Sequence, residues 1–118
     1  MAGKSPVIPA YSKYRAKPAT FGGIWFRSQA ECARYQVLLI ERSAGRIANL
    51  ELQPRLPLNV NGMLVCTYVA DFRYMRKHDD GSISSVVEDV KGIETPEFRL
   101  KKRLVKAVLG IDIFITRR

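Results

Sequence analysis

From Leu64 to Lys91 the chain is written almost entirely for strands, and that run limits what it can fold into. Leu64 to Met75 is the longest strand candidate, His78-Asp79-Asp80-Gly81 reads as a turn, and Ile83 to Lys91 is the next strand. Two strands and a turn are only marginally stable alone in water. The flanking sequence must therefore supply further strands or helices to cover them.

It supplies both. Ser28 is a good helix N-cap, Glu31 falls three residues later as a capping box, and Ala30, Ala33, Val37 and Ile40 follow at helical spacing up to Gly45. Ile47 to Val60 is extended, with interruptions expected at Pro54 and Pro57, and Asn61-Gly62 is a hairpin turn. A second helix is capped by Thr95, has Pro96 at its first position and stops at Gly110. Leu100, Leu104, Ala107 and Val108 form its expected buried stripe, while Arg99, Lys102, Arg103 and Lys106 line another face. Ile111 to Ile115 is a final apolar strand. The order helix, three strands, helix, strand predicts an α/β chain with a mixed sheet covered by helices.

With 118 residues, one domain is expected, over 24–118. Residues 1–23 read as a basic arm, because Pro6, Pro9, Pro18 and Gly22-Gly23 discourage regular structure. In it, Tyr11 and Tyr14 are interleaved with Lys13, Arg15 and Lys17. Such a mix can stack on bases and contact phosphate, or it can strap its tyrosines onto the domain.

Net charge is +9, and its distribution says more than its size. The first 27 residues hold Lys4, Lys13, Arg15, Lys17 and Arg27 and no acid, while from residue 97 on seven bases face Glu97 and Asp112. Most acids lie between. Basic ends around an acidic centre suggest a polyanion-binding surface with something acidic inside it; a solvated basic face is the alternative.

Asp71 is the first acid to explain, since it sits between Val69-Ala70 and Phe72, where an unpaired buried carboxylate is costly. In the next strand Asp89 and Lys91 share one face and Glu88 and Val90 the other. A hairpin would bring Asp71 alongside Asp89. Two carboxylates could hold a hard divalent cation through oxygen, and the lysine could orient water and stabilise charge building on phosphorus. The structural alternatives are an ion pair of Asp71 with Arg73 or Arg55, and an exposed Asp89–Lys91 pair.

Asp71 followed by Asp89-Val90-Lys91 resembles the D…(D/E)-X-K core of the PD-(D/E)XK restriction-endonuclease-like nucleases, and the predicted αβββαβ order resembles their common core. Ala70 stands where the superfamily's name places proline. Further segments resemble DUF1064, a family of small phage and prophage proteins, some described as Holliday-junction resolvases. These are Lys13-Tyr14-Arg15-Ala16-Lys17, Ser28-Gln29-Ala30-Glu31, Leu50-Glu51-Leu52-Gln53-Pro54, Tyr68-Val69-Ala70-Asp71-Phe72, Val87-Glu88-Asp89-Val90-Lys91-Gly92 and Thr95 to Lys102.

The resemblance implies a magnesium-dependent DNA endonuclease, with manganese able to substitute, cutting branched DNA and acting as a homodimer. It implies Asp71, Asp89 and Glu31 as metal ligands and Lys91 as the water-positioning group. Gln53 is an accessory candidate, and so is Glu88 if the strand is bulged. Lys13, Arg15, Lys17, Arg99, Lys102, Arg103 and Lys106 are the expected DNA contacts. A non-catalytic nucleic-acid-binding module and a nuclease subunit of a recombination or transposition complex are the alternatives. Cys32 and Cys66 read as reduced thiols, and no run approaches the roughly 20 apolar residues of a membrane span, so a soluble cytoplasmic protein is expected.

Overall fold

Two pairs of left-handed residues turn this chain back on itself. A computed structural model describes residues 17–117. Gly22 and Gly23, at φ 60 and 80, join β1 (Ala19–Phe21) to β2 (Ile24–Phe26). The glycines expected to discourage structure thus make a hairpin turn, because only positive φ matches the twist of the flanking strands. Asn61 and Gly62, at φ 50 and 79, join β4 (Arg55–Val60) to β5 (Met63–Val69) in the same way, as the sequence predicts.

The main sheet has four strands in the order β3 (Ile47–Leu52), β6 (Phe72–Lys77), β7 (Ile83–Lys91), β8 (Phe114–Arg117). β3–β6 and β6–β7 are antiparallel, and β7–β8 is parallel. The parallel pair needs a crossover, which α2 (Pro96–Leu109) provides. α1 (Gln29–Ser43) precedes the sheet. Among these six elements the order is αβββαβ, in a mixed α and β chain, with the β4–β5 hairpin inserted between β3 and β6.

Alternation along the strands sorts the core into two clusters. Phe72, Tyr74 and Val90 pack with Phe26, Cys32, Leu38 and Ile47 under α1 and the β1–β2 hairpin. Val87 packs with Leu56, Leu58, Tyr68, Phe98, Val105 and Ile113 under α2 and the β4–β5 hairpin.

The structure corrects three expectations. Leu64 to Met75 is not one strand: the chain breaks at Ala70-Asp71 and changes partners, Ala70 donating its N–H to Pro54 O and Asp71 to Glu88 O. Pro54 does interrupt, but Pro57 lies within β4 opposite Thr67. The helix faces also differ. On α1, Val37 and Ile40 are exposed and Cys32, Leu38 and Glu31 are buried. On α2, Leu100 and Ala107 face solvent while Phe98 and Val105 are buried. Both N-caps form, Ser28 Oγ accepting from Glu31 N and Thr95 Oγ1 from Phe98 N, each at 3.1 Å, but the capping box does not close: the Glu31 carboxylate accepts from Ser28 Oγ and not from the Ser28 N–H.

Candidate active site

The strand break is what makes the site. Asp71 lies just before β6, and its Oδ2 accepts the Val90 N–H at 2.7 Å, filling the place of a backbone carbonyl in the ladder. That bond ties Asp71 to the end of β7, one residue from Asp89 and one from Lys91. β7 pairs in continuous register through Glu88 with β6 and from Glu88 to Lys91 with β8, so no bulge exchanges Glu88 for Asp89. Glu88 points to the α1 side. There it is fully buried and bound by Arg34 Nε at 2.6 Å, Tyr74 Oη at 2.6 Å and Thr116 Oγ1 at 2.6 Å. Its carboxylate is committed to these partners.

Glu31, one turn into α1, reaches the same region, and so does Arg27, between β2 and the cap. Arg27 stands 3.8 Å from Glu31 Oε1 and 3.5 Å from Asp71 Oδ1. Lys91 Nζ is 3.9 Å from Asp89 Oδ1 and lies 4.4 Å from the centre of the Phe98 ring. Neither alternative pairing for Asp71 occurs: Arg73 is bound to Glu51 instead, and Asp89 is buried rather than exposed.

Burial dominates the electrostatics. It raises the Glu31 carboxyl from its ordinary 4.5 to about 7, helped by the charge on Asp71 and opposed by Arg27, Lys91 and Ser28. It raises Asp71 too, against the Val90 N–H, Arg27 and Lys91. Asp89 is pushed up to about 6, against Lys91 and Arg27. Three desolvated carboxylates share two cations that stand beyond ordinary hydrogen-bond length, so the cluster is short of positive charge.

Among the described residues no three His, Cys, Asp or Glu side chains are grouped so as to hold a metal ion. The donor chemistry nevertheless suits a hard cation. All three side chains offer oxygen, and Asp89 Oδ2 is buried with no protein hydrogen-bond partner, leaving it able to accept from water or to coordinate an ion.

Residues 11–110 match the model of a family described as a protein of unknown function, DUF1064. The chain belongs to that family. No curated protein and no solved structure gives a match.

In this DUF1064 chain a groove of about 130 Å³ opens beside the carboxylates, lined by Trp25, Glu31, Gln53 and Asp71 among others. Gln53 is a non-glycine residue at φ 51, and its N–H donates to Asp71 O at 2.9 Å. Such a conformation costs on the order of 1–3 kcal/mol and persists where the surroundings impose it. Here it braces the Asp71 backbone and puts Gln53 on the groove. Sequence reasoning missed Trp25 and Arg27. Arg27 carried a usable signal, standing four residues before Glu31 across a helix N-cap.

The basic candidates divide. Arg99, Lys102, Arg103 and Lys106 line one cavity of about 310 Å³, together with Glu94 and Asp112. Lys106 is partly engaged there by Asp112 at 2.8 Å. Lys17 is exposed. Lys13 and Arg15, with Tyr11 and Tyr14, lie outside the described residues. No helix is long and apolar enough to cross a membrane among those described.

Proposed function

We propose that this chain is a metal-dependent endonuclease of the PD-(D/E)XK type that hydrolyses phosphodiester bonds in DNA. The observation that carries the reading is the junction of β6 and β7. Asp71 and Asp89 are both buried there, Asp71 bonded to the N–H of the residue after Asp89, Lys91 stands 3.9 Å from Asp89, and Glu31 on α1 shares Arg27 with Asp71. The buried Asp89 Oδ2, without a protein hydrogen-bond partner, supports this reading, because a buried carboxylate oxygen needs a partner and a hard cation can be one.

Asp71, Asp89 and Glu31 would hold magnesium, or manganese in its place. Such an ion, when bound, polarises a phosphoryl oxygen and makes water a better nucleophile at neutral pH. Lys91 holds the attacking water and offsets negative charge developing on the phosphate. Its ammonium is kept in position by Asp89 on one side and the Phe98 ring on the other. Glu31 contributes a further oxygen to the ion or to that water. Gln53 lines the approach and supports Asp71 through its backbone. The four bases on α2 form the surface that takes the DNA backbone.

Branched DNA is the proposed substrate class, on the resemblance to junction resolvases. Paired cuts across a junction call for a homodimer.

Asp71→Asn, Asp89→Asn and Lys91→Ala should each abolish cleavage and leave DNA affinity within a few-fold of wild type. Turnover on labelled DNA, beside a gel-shift affinity for each variant, checks this. Normal turnover in Asp89→Asn would remove the assignment.

A further inference from the structure

Two arginines in this protein hold buried carboxylates, and they do so differently. Arg34 grips Glu88 through two nitrogens, at 2.6 and 3.1 Å, with its own side chain only 18% exposed. Arg27 meets Glu31 and Asp71 at 3.8 and 3.5 Å, with its side chain 61% exposed. Charge-assisted bonds of a settled pair run at about 2.7–2.9 Å. Arg34 is thus a fixed structural partner, and Arg27 is a loosely held one.

The backbone at Arg27 is fixed all the same. Phe26 before it and Ser28 after it are both buried, and Ser28 is held as the N-cap of α1. Only the Arg27 side chain is free to turn. One way it meets the carboxylates; the other way lies solvent. A guanidinium brings one positive charge to Glu31 and Asp71 and covers them incompletely, standing 3.8 and 3.5 Å away. A divalent cation brings two. Guanidinium is also the side chain best shaped to bind a phosphate through two parallel N–H groups.

We propose that Arg27 is an exchangeable counter-ion, neutralising Glu31 and Asp71 while they hold no metal and turning outward to a DNA phosphate when they do. The inference rests on the metal-dependent reading above. It gives the site an order of events: DNA gains a contact at Arg27 only after the carboxylates are otherwise satisfied. Arg27 is then a positioning residue for the backbone next to the cut, acting in the metal-loaded state alone.

Arg27→Gln removes the charge at an exposed position, and circular dichroism verifies the fold. Titrated with Mn²⁺ by calorimetry in the absence of DNA, the variant should bind the ion more tightly than wild type, by up to about fivefold. Anisotropy of a labelled four-way junction should show a loss of about tenfold or more in Ca²⁺ and no more than about threefold in EDTA. Arg27→Lys, which keeps the charge and loses the fork, should hold Mn²⁺ as wild type does and still lose junction affinity in Ca²⁺. Equal losses of junction affinity in Ca²⁺ and EDTA, or Mn²⁺ affinity that is unchanged or weaker in Arg27→Gln, would overturn the exchange and leave the nuclease reading standing. Wild-type protein that takes up no Mn²⁺ would overturn both.

Discussion

Glu31 shows how one residue serves helix and site at once. The capping bond of α1 uses its backbone N–H, donated to Ser28 Oγ, and not its carboxyl. The carboxyl accepts from Ser28 Oγ at 3.4 Å and also faces Asp71, Arg27 and Lys91. Its raised pKa has a consequence for stability. In the unfolded chain Glu31 titrates at its ordinary value of about 4.5, and in the folded chain at about 7. The folded state therefore binds the proton more tightly, and stability without metal must fall as pH rises between these values. Asp89, raised to about 6, acts in the same direction. Thermal melts in EDTA from pH 4 to 8 should show this decline, on the order of 1–3 kcal/mol from Glu31. Glu31→Gln should flatten it and keep the cap. A wild-type protein that gains stability across that window would contradict the assigned burial.

Asp89 and Lys91 were legible as a pair because alternation along β7 fixes which side chains share a face, whereas Asp71 stood out by its apolar neighbours although it lies at a strand break and not within a strand. Arg27 and Trp25 were not, because their positions depend on how the β1–β2 hairpin settles on α1. Glu88 was legible only in part: its direction followed from alternation, but its three partners come from α1, β6 and β8.

At the scale of elements, boundaries were easier to read than faces. The signals at Ser28, Asn61-Gly62, Thr95-Pro96 and Gly110 each act locally, through a hydrogen bond or an allowed φ, and each appears where the residues put it. The buried face of α1 was misread because its inner side carries Glu31 and Arg34, both spent on other charges. Polarity then no longer marks the outside. The break at Ala70-Asp71 was hidden because the residues on both sides are good strand formers, and only the change of partner, from Pro54 to β7, separates them.

The basic side of α2 is the element-scale feature with a testable role. Lys102 and Arg103 line one cavity with Arg99 and Lys106, so on the proposed reading they would offer neighbouring contacts to phosphates. Each phosphate contact steepens the salt dependence of duplex binding by about 0.9 in log–log slope. Changing Lys102 and Arg103 together to alanine should weaken binding and reduce that slope by up to about 2. Fluorescence anisotropy across a salt series in Ca²⁺ checks this. An unchanged slope would put the DNA path elsewhere.

In the whole molecule, the mixed α and β make-up follows from the sequence, but five strands rather than three lie between the helices, and the β4–β5 and β1–β2 hairpins complete the two covering layers. The charge pattern fits that arrangement. Of the acids in the middle of the chain, Asp71, Glu88 and Asp89 are buried at the β6–β7 junction and Glu31 on α1, while the α2 bases line a cavity elsewhere. Such a layout attracts a polyanion to the rim while repelling it from the middle until positive charge arrives there. The central claim is that this arrangement cuts DNA, and cleavage of labelled four-way junction, flap and linear duplex by the purified full chain tests it most directly. Product should appear with magnesium and with manganese, fastest on the junction, and none with EDTA. Folded protein that binds these substrates yet leaves every one of them intact in both metals would contradict the account.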